Sequence, residues 1–342
     1  VTIDAAIDER RRTATTGHSQ STPRIDLPLY PIGWFAIAAS AELNVGDVVT
    51  KTFCGQDVVL FRDHAGNAAV LDAYCPHLGA NLGVGGTVED GGLRCPFHGW
   101  KWSPAGKCVD MPYGGRISPG ARTRSWPVEE QDGVILVWSG SEPPPWHMPT
   151  FDDEEWTEPR TTVRTIRSHP QEILENSVDF AHFRFVHQTH MMKLVDEPSI
   201  EGPIFDMQIS ADPEAVDEAI RLPADFLLDG LSVCHGPGLT FAKLQMQGTS
   251  AGLHRLYATP IDGEHIQLLG MVTLQSNVAG GEDPTPYLDV LSEQVFENWY
   301  RDIEVWENKR YQPKPILNRT ETLIPEFRRW YSQFYTADET QP

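Results

Sequence analysis

Long apolar runs, an excess of basic residues and a disulfide-type cysteine pattern are all missing from these 342 residues. No apolar stretch approaches the eighteen or so residues that a membrane-crossing helix requires, so no span is expected. Basic residues are outnumbered by acidic ones, 27 against 48, for a formal charge of −21. That balance disfavours nucleic acid and anionic membrane surfaces as partners. The five cysteines show no paired spacing, which excludes a disulfide framework. Cys54, Cys108 and Cys234 read as small buried apolar residues, in keeping with a reducing cytoplasm. Residues 1–24 carry polar and charged text, Asp8-Glu9-Arg10-Arg11-Arg12 for example, with no apolar core of a secretory leader. A cytoplasmic location is therefore expected. A glycine-rich dinucleotide fingerprint is absent too, so a nicotinamide cofactor would have to act through another polypeptide.

What is present is ample apolar material: 40% hydrophobic residues and ten tryptophans, enough for two sizeable cores at this length. Residues 1–27 read as a flexible lead-in. From Trp34 onward, short apolar runs alternate with turn signals, as in Asp57–Arg62, Ala68–Leu71 and Gly133–Trp138, which is an all-β rhythm. The Pro-rich text Ser141-Glu-Pro-Pro-Pro145 marks a boundary between a domain 28–145 and a second domain 146–342. In the second, Thr161–Arg167, Leu239–Gln247, His254–Thr259 and His265–Thr273 read as strands. Gln171–Val186 and Pro286–Arg310 read as helices, the latter with Thr285 as N-cap and Pro286 at N1. Residues 193–238 give no clear pattern.

The chemistry lies in Cys75-Pro-His77, seventeen intervening residues, and Cys95-Pro-Phe-His98. Each half offers one thiolate and one imidazole from a loop tip. A Rieske [2Fe–2S] centre takes two Cys on one iron and two His on the other. A tetrahedral zinc site takes the same four donors, but usually groups Cys with Cys and His with His, whereas here they alternate. Gly79, Gly83, Gly85 and Gly86 allow the first loop to bend tightly. Arg116, Arg122 and Arg124 follow the loops, either as plain surface charge or as a spot for an acidic redox partner.

A second constellation is Asn176-x2-Asp179-x2-His182-x4-His187. His182 and His187 diverge by roughly 140° on an ideal helix, so they share a metal only if the helix ends between them. Otherwise both are core imidazoles. A mononuclear iron that activates O2 wants two His and a carboxylate. In the helix 286–310, Leu288, Leu291, Val295, Trp299 and Trp306 form one apolar stripe. Asp302 sits inside it, while Glu293, Glu297 and Glu304 point away. An ionised carboxylate on a core-facing stripe needs a metal or a buried cation, so Asp302 is the third ligand expected, with an Arg ion pair as the alternative.

These motifs resemble the oxygenase (α) subunits of the Rieske non-haem iron oxygenases over residues 28–336. The text is similar to the 3-ketosteroid 9α-hydroxylase oxygenase and its cholesterol 7-desaturase relatives, through Met111-Pro-Tyr-Gly, Thr123-Arg-Ser-Trp126, Asp302-Ile-Glu-Val-Trp306-Glu-Asn-Lys309 and Arg328-Arg-Trp-Tyr331-x2-Phe-Tyr335. The resemblance implies an α+β chain: an all-β Rieske domain followed by a helix-grip (START-like) antiparallel-sheet catalytic domain. It implies a cluster on Cys75, His77, Cys95 and His98, and a mononuclear Fe(II) on His182, His187 and Asp302. Asp179 would bridge imidazoles of neighbouring subunits in a homotrimer, with Asn176 beside the site. Ala80, Phe97 and Trp100 stand where cytochrome-complex Rieske proteins carry clamp cysteines and a Ser, which implies a lower potential. The implied partners are O2, an apolar small-molecule substrate and a flavin-dependent reductase fed by NAD(P)H, directly or through a ferredoxin. The implied reaction is monooxygenation of a polycyclic, steroid- or terpenoid-like substrate, with desaturation or O-demethylation as alternatives. Phe180, Phe183, Phe185 and Phe241–Met246 are candidates for the pocket wall. Two rival readings remain: a Rieske electron carrier without the second iron, and a zinc-stabilised binding protein.

Overall fold

The computed structural model describes residues 24–151, 155–188, 192–211, 228–246, 252–277 and 282–335. In the first part, short β-branched and aromatic runs pair into three antiparallel sheets. Their strands are β1 (Trp34–Ala39), β2 (Val48–Phe53), β3 (Gln56–Arg62), β4 (Ala68–Asp72), β5 (Thr87–Glu89), β6 (Gly92–Arg94), β7 (Lys101–Trp102), β8 (Cys108–Asp110), β9 (Ser125–Trp126), β10 (Val128–Gln131) and β11 (Val134–Trp138). The sheets run β1-β11-β10, β2-β3-β4-β9 and β5-β6-β7-β8. The β2–β3 hairpin turns on Cys54 and Gly55, both at positive φ, the geometry that two-residue turns between twisted strands require.

The second part builds one eight-stranded antiparallel sheet from β12 (Arg160–Ile166), β13 (Met192–Leu194), β14 (Ser199–Glu201), β15 (Ile204–Ala211), β16 (Leu228–His235), β17 (Leu239–Met246), β18 (Gly252–Pro260) and β19 (Ile266–Leu274). Its order is β12-β19-β18-β17-β16-β15-β13, with β14 on β15. Helices α1 (Pro170–Glu175), α2 (His182–Phe185), α3 (Thr285–Asn308) and α4 (Leu323–Tyr331) accompany it. The long α3 lies across β12 and β19. Leu288 and Val295 pack on Val272 and Leu274 at one end, and Trp306 joins Phe205, Leu268, Phe327 and Tyr331 at the other. Arg24 donates to the carbonyls of Trp306 (2.8 Å) and Lys309 (2.7 Å), closing the helix C-terminus.

Two local expectations are corrected. Gln171–Val186 is not one helix: α1 gives way to a 3-10 turn at Asn176–Val178 and then leaves helical geometry at Asp179 (φ −92, ψ 86). The carbonyl of Asp179 is taken by His182 Nδ1, a side chain competing with the helix ladder. The N-cap of α3 is Pro284 rather than Thr285, because the Asp283 carboxylate accepts the Thr285 N–H at 3.0 Å. Residues 193–238 supply β13 to β16 where they are described; 212–227 lie outside the described residues, as do 1–23 of the segment read as lead-in.

The two parts share a core. Trp34, Leu136 and Trp138 pack with Leu239, Tyr257, Leu269 and Met271. Hydrogen bonds cross the same seam: Cys54 and Gly55 N–H donate to the carbonyls of Pro260 (3.0 Å) and Ile261 (2.8 Å), and Thr259 Oγ1 donates to Ala36 O (2.7 Å). A buried apolar seam couples the stabilities of the pieces it joins. Met271→Ala should therefore cost about 2–5 kcal/mol and lower the thermal transitions seen by cluster absorbance and by tryptophan fluorescence together. A shift confined to one probe would show that the halves unfold independently.

Candidate metal centres

The loops Tyr74–Gly86 and Arg94–Lys101 repeat one hydrogen-bond pattern. Cys75 N–H donates to Ala80 O and Cys95 N–H to Trp100 O, both at 2.8 Å; Gly79 N–H returns to Cys75 O and Gly99 N–H to Cys95 O. Gly79 (φ 77) and Gly99 (φ 70) hold the left-handed conformation that closes each turn, where a β-carbon would be strained. The result places two sulfurs deep and two imidazoles shallow. Cys75 and Cys95 are buried, with adjacent side chains, and His77 and His98 are half-buried with ring centroids 4.6 Å apart. His77 stacks on Trp100, with centroids 4.4 Å apart, and Trp100 Nε1 donates to the Tyr113 hydroxyl. Burial pushes the Cys75 thiol up, and a hydrogen bond from the His77 backbone works the other way. Two converging thiols and two converging imidazoles fit the donor set of a Rieske cluster.

The second group assembles across the fold. His182 opens α2, His187 follows its end, and Asp302 comes from α3. Their ligating atoms lie within 4.8 Å of one another. His187 Nε2 stands 3.3 Å and His182 Nε2 4.0 Å from Asp302 Oδ1. Convergence depends on the helix ending at once: Gln188 sits at φ 56, and Arg301 Nη1 donates to the His187 carbonyl at 3.3 Å. His182 donates Nδ1–H to the Asp179 backbone carbonyl, which leaves the Nε2 lone pair rather than an N–H directed toward the site. The Asn176 amide lies 3.1 Å from that Nε2 and donates to Asp302 Oδ2 at 3.4 Å. Burial holds the His182 pKa below its ordinary value, against the pull of the Asp302 carboxylate, and the neutral imidazole is the ligating form. Asp302 is only 4% exposed. Among the described residues its ion-pair partners are the two imidazoles, not an arginine. Two imidazoles and one carboxylate fit a mononuclear iron.

This triad lies in the wall of a cavity of about 1090 Å³, slightly above the roughly 300–1,000 Å³ range of small-molecule sites. One wall is the inner face of α3 from Tyr287 to Trp306; the other includes inward residues of β15 to β19. Phe180, Phe183, Phe241, Ala242 and Leu244 line it as expected, whereas Phe185 is 78% exposed and turned away. Apart from the triad, no charged side chain lines it among the described residues.

Residues 33–127 match the Rieske [2Fe-2S] domain, and residues 137–335 match the 3-ketosteroid 9alpha-hydroxylase C-terminal domain. The chain belongs to the Rieske non-haem iron oxygenases. It is 32% identical over 338 residues to cholesterol 7-desaturase of Hemicentrotus pulcherrimus, covering 91% of this chain and 71% of that protein. It is 31% identical over 326 residues to the probable 3-ketosteroid-9-alpha-monooxygenase oxygenase component of Rhodococcus rhodochrous, covering 91% and 81%. Dicamba monooxygenase bound to dicamba shares the fold, with a TM-score of 0.71 at 19% identity over 88% of this chain and 96% of that one.

In this oxygenase the structure brings Cys75, His77, Cys95 and His98 together at one centre, and His182, His187, Asp302 and Asn176 at the other. Asp179 is half-buried, and its hydrogen bond to His182 comes from the main-chain carbonyl rather than the expected carboxylate. Sequence reasoning passed over His254, a cavity residue whose only textual sign is one polar side chain on an inward strand row. Gln188→Val should lower metal retention by the triad, because a β-branched residue at φ 56 costs about 1–3 kcal/mol and drags His187 with it. Gln188→Gly should retain metal, read as iron content after dialysis against a chelator.

Proposed function

We propose that this chain is the oxygenase component of a multi-component system that uses O2 to hydroxylate an uncharged, elongated polycyclic substrate of steroid or terpenoid type. Electrons come from a separate flavin-dependent NAD(P)H reductase, directly or through a ferredoxin. The observation that carries the reading is the buried two-His, one-carboxylate triad at the wall of a long cavity with no other charged group among its described residues. His182, His187 and Asp302 hold the mononuclear Fe(II), and Cys75, His77, Cys95 and His98 hold the [2Fe–2S] cluster. When bound, the Fe(II) activates O2 and the cluster supplies electrons singly.

The chain's own residues prepare that chemistry. The Asp179 carbonyl sets the His182 tautomer, and the Asn176 amide donates to Asp302 and steadies that carboxylate. Leu256, Leu274, Trp299 and Trp306 exclude water from the reacting carbon. The absence of a cation among the described lining residues argues against carboxylate or phosphate substrates, whose charge would be buried unpaired. The names of the relatives favour steroids within that class. Since those names include a desaturase as well as monooxygenases, removal of two hydrogens is the second reading, decided by product analysis.

The protein acts as a homotrimer. Leu78, Phe97 and Tyr113, each more than 60% exposed around the cluster loops, support cover by a neighbouring copy. In that assembly the Asp179 carboxylate is assigned the bridge between the centres of neighbouring subunits. Purified protein should carry two cluster irons and one further iron per chain, with a Rieske-type EPR signal on reduction. Asp302→Ala should lose the further iron and keep that signal. Asp179→Ala should keep all iron and lose at least about 100-fold in product formation. Normal turnover by Asp179→Ala would remove its bridging role, and an unchanged iron count in Asp302→Ala would remove the ligand assignment.

A further inference from the structure

His254 is the odd residue of the cavity. Along β18 the inward row is Gly252, His254, Leu256, and its neighbours across the sheet are Ala242 and Val272. In this apolar wall the His254 Nε2 atom is buried beside Gly252 and has no hydrogen-bond partner among the described residues. Leaving a buried polar atom unpaired costs as much as a lost hydrogen bond, so a native example calls for a reason. Of the other polar residues that line the cavity, Ser177 and Thr240 pair with each other (Oγ to Oγ1, 2.8 Å) and Asn176 serves the triad, while Ser232, Gln294 and Asn298 lie on β16 and α3 rather than on the β18 row. Burial pushes the His254 imidazole down to about 4, so the ring is neutral at physiological pH. A neutral imidazole carries one N–H donor and one bare acceptor, and therefore meets either a ketone or a hydroxyl.

Its place along the cavity matters as much as its chemistry. A β-carbon on Gly252 would stand 3.4 Å from His254 Nε2 and 3.1 Å from Leu291 Cδ2, so the imidazole and Leu291 meet at that bare backbone. Leu291 precedes Asp302 by eleven residues of α3, which separates them by about 16 Å along the helix axis. A rigid rod of several fused rings bridges such a distance; a single ring does not.

We propose that His254 is the polar anchor of the substrate site: it hydrogen-bonds an oxygen at the far end of an elongated, otherwise apolar substrate and so decides which carbon reaches the triad. The proposal rests on the reading of the cavity as the oxygenase's substrate site. It is tested on the full-length, cluster-loaded chain by equilibrium binding of 5α-androstane-3,17-dione, 5α-androstan-3-one and 5α-androstan-17-one, followed by intrinsic fluorescence, to which Trp299 and Trp306 in the wall contribute. In the unaltered protein, loss of one of the two oxygens should weaken binding about tenfold, roughly 1.4 kcal/mol. His254→Phe and His254→Ala should bind the three ketones within about twofold of one another, while His254→Gln should keep most of the preference. Cluster absorbance verifies that each variant is folded. The same preference with and without the imidazole, or no preference in the unaltered protein, overturns the proposal. If no androstane binds, the steroid reading fails, and 4-hydroxybiphenyl against biphenyl decides His254 alone. A preference for the hydroxyl that His254→Phe abolishes sustains the anchor, and its absence overturns it.

Discussion

A carboxylate buried in the apolar stripe of a long helix is the constraint on which the rest of this molecule turns. Asp302 faces the interior, flanked along its helix by Trp299 and Trp306. Ionised and alone, it would oppose folding by several kcal/mol. The surrounding chain is arranged to answer it: two imidazoles and an amide approach from the interrupted helical segment 170–187. Each interruption has a role in that approach. The departure from helix at Asp179 frees the carbonyl that orients His182, and the turn at Gln188 stops the chain before His187 rotates away.

The two centres use opposite placements of the same ligand types. At the loop tips the sulfurs are sunk and the imidazoles lie near the surface, suited to exchange of electrons with a partner. In the larger sheet the imidazoles are themselves sunk, beside a cavity with the volume for an organic molecule. A shared tryptophan-rich core and backbone hydrogen bonds across the seam hold the two parts in one relation. Surface charge plays a smaller role. Arg124 stacks on Trp126 and so is partly spent on packing.

The cavity is selective by what it omits. Without a lysine or arginine among its described lining residues it offers no cation to an anion, and of its few polar groups Ser177, Thr240 and Asn176 are occupied with one another or with the triad. Against such a wall a single neutral imidazole carries weight out of proportion to its size, since a hydrogen bond made away from water is not diluted by competing solvent.

How much of this was legible beforehand depends on the range of the interaction. The cluster loops were readable because all four donors sit in two short segments whose local turns fold them. Four strands of the larger sheet, β12 and β17 to β19, were readable within a residue or two, whereas β13 to β16 gave no pattern, and Asp302 was readable from its position in a 3.6-residue stripe. The interruption inside Gln171–Val186 was not, because a side-chain hydrogen bond to a main-chain carbonyl overrode helical propensity there. Phe185 was misjudged for the same reason: its direction depends on where that short helix begins. The anchor at His254 was invisible, since an inward histidine on a strand declares nothing until Gly252 and Leu291 are brought around it. The linear chain by itself determined the ligand types, the two-part architecture and the family. Tertiary structure alone decided which groups converge and what shape and charge the cavity has, because those depend on contacts between residues more than a hundred positions apart.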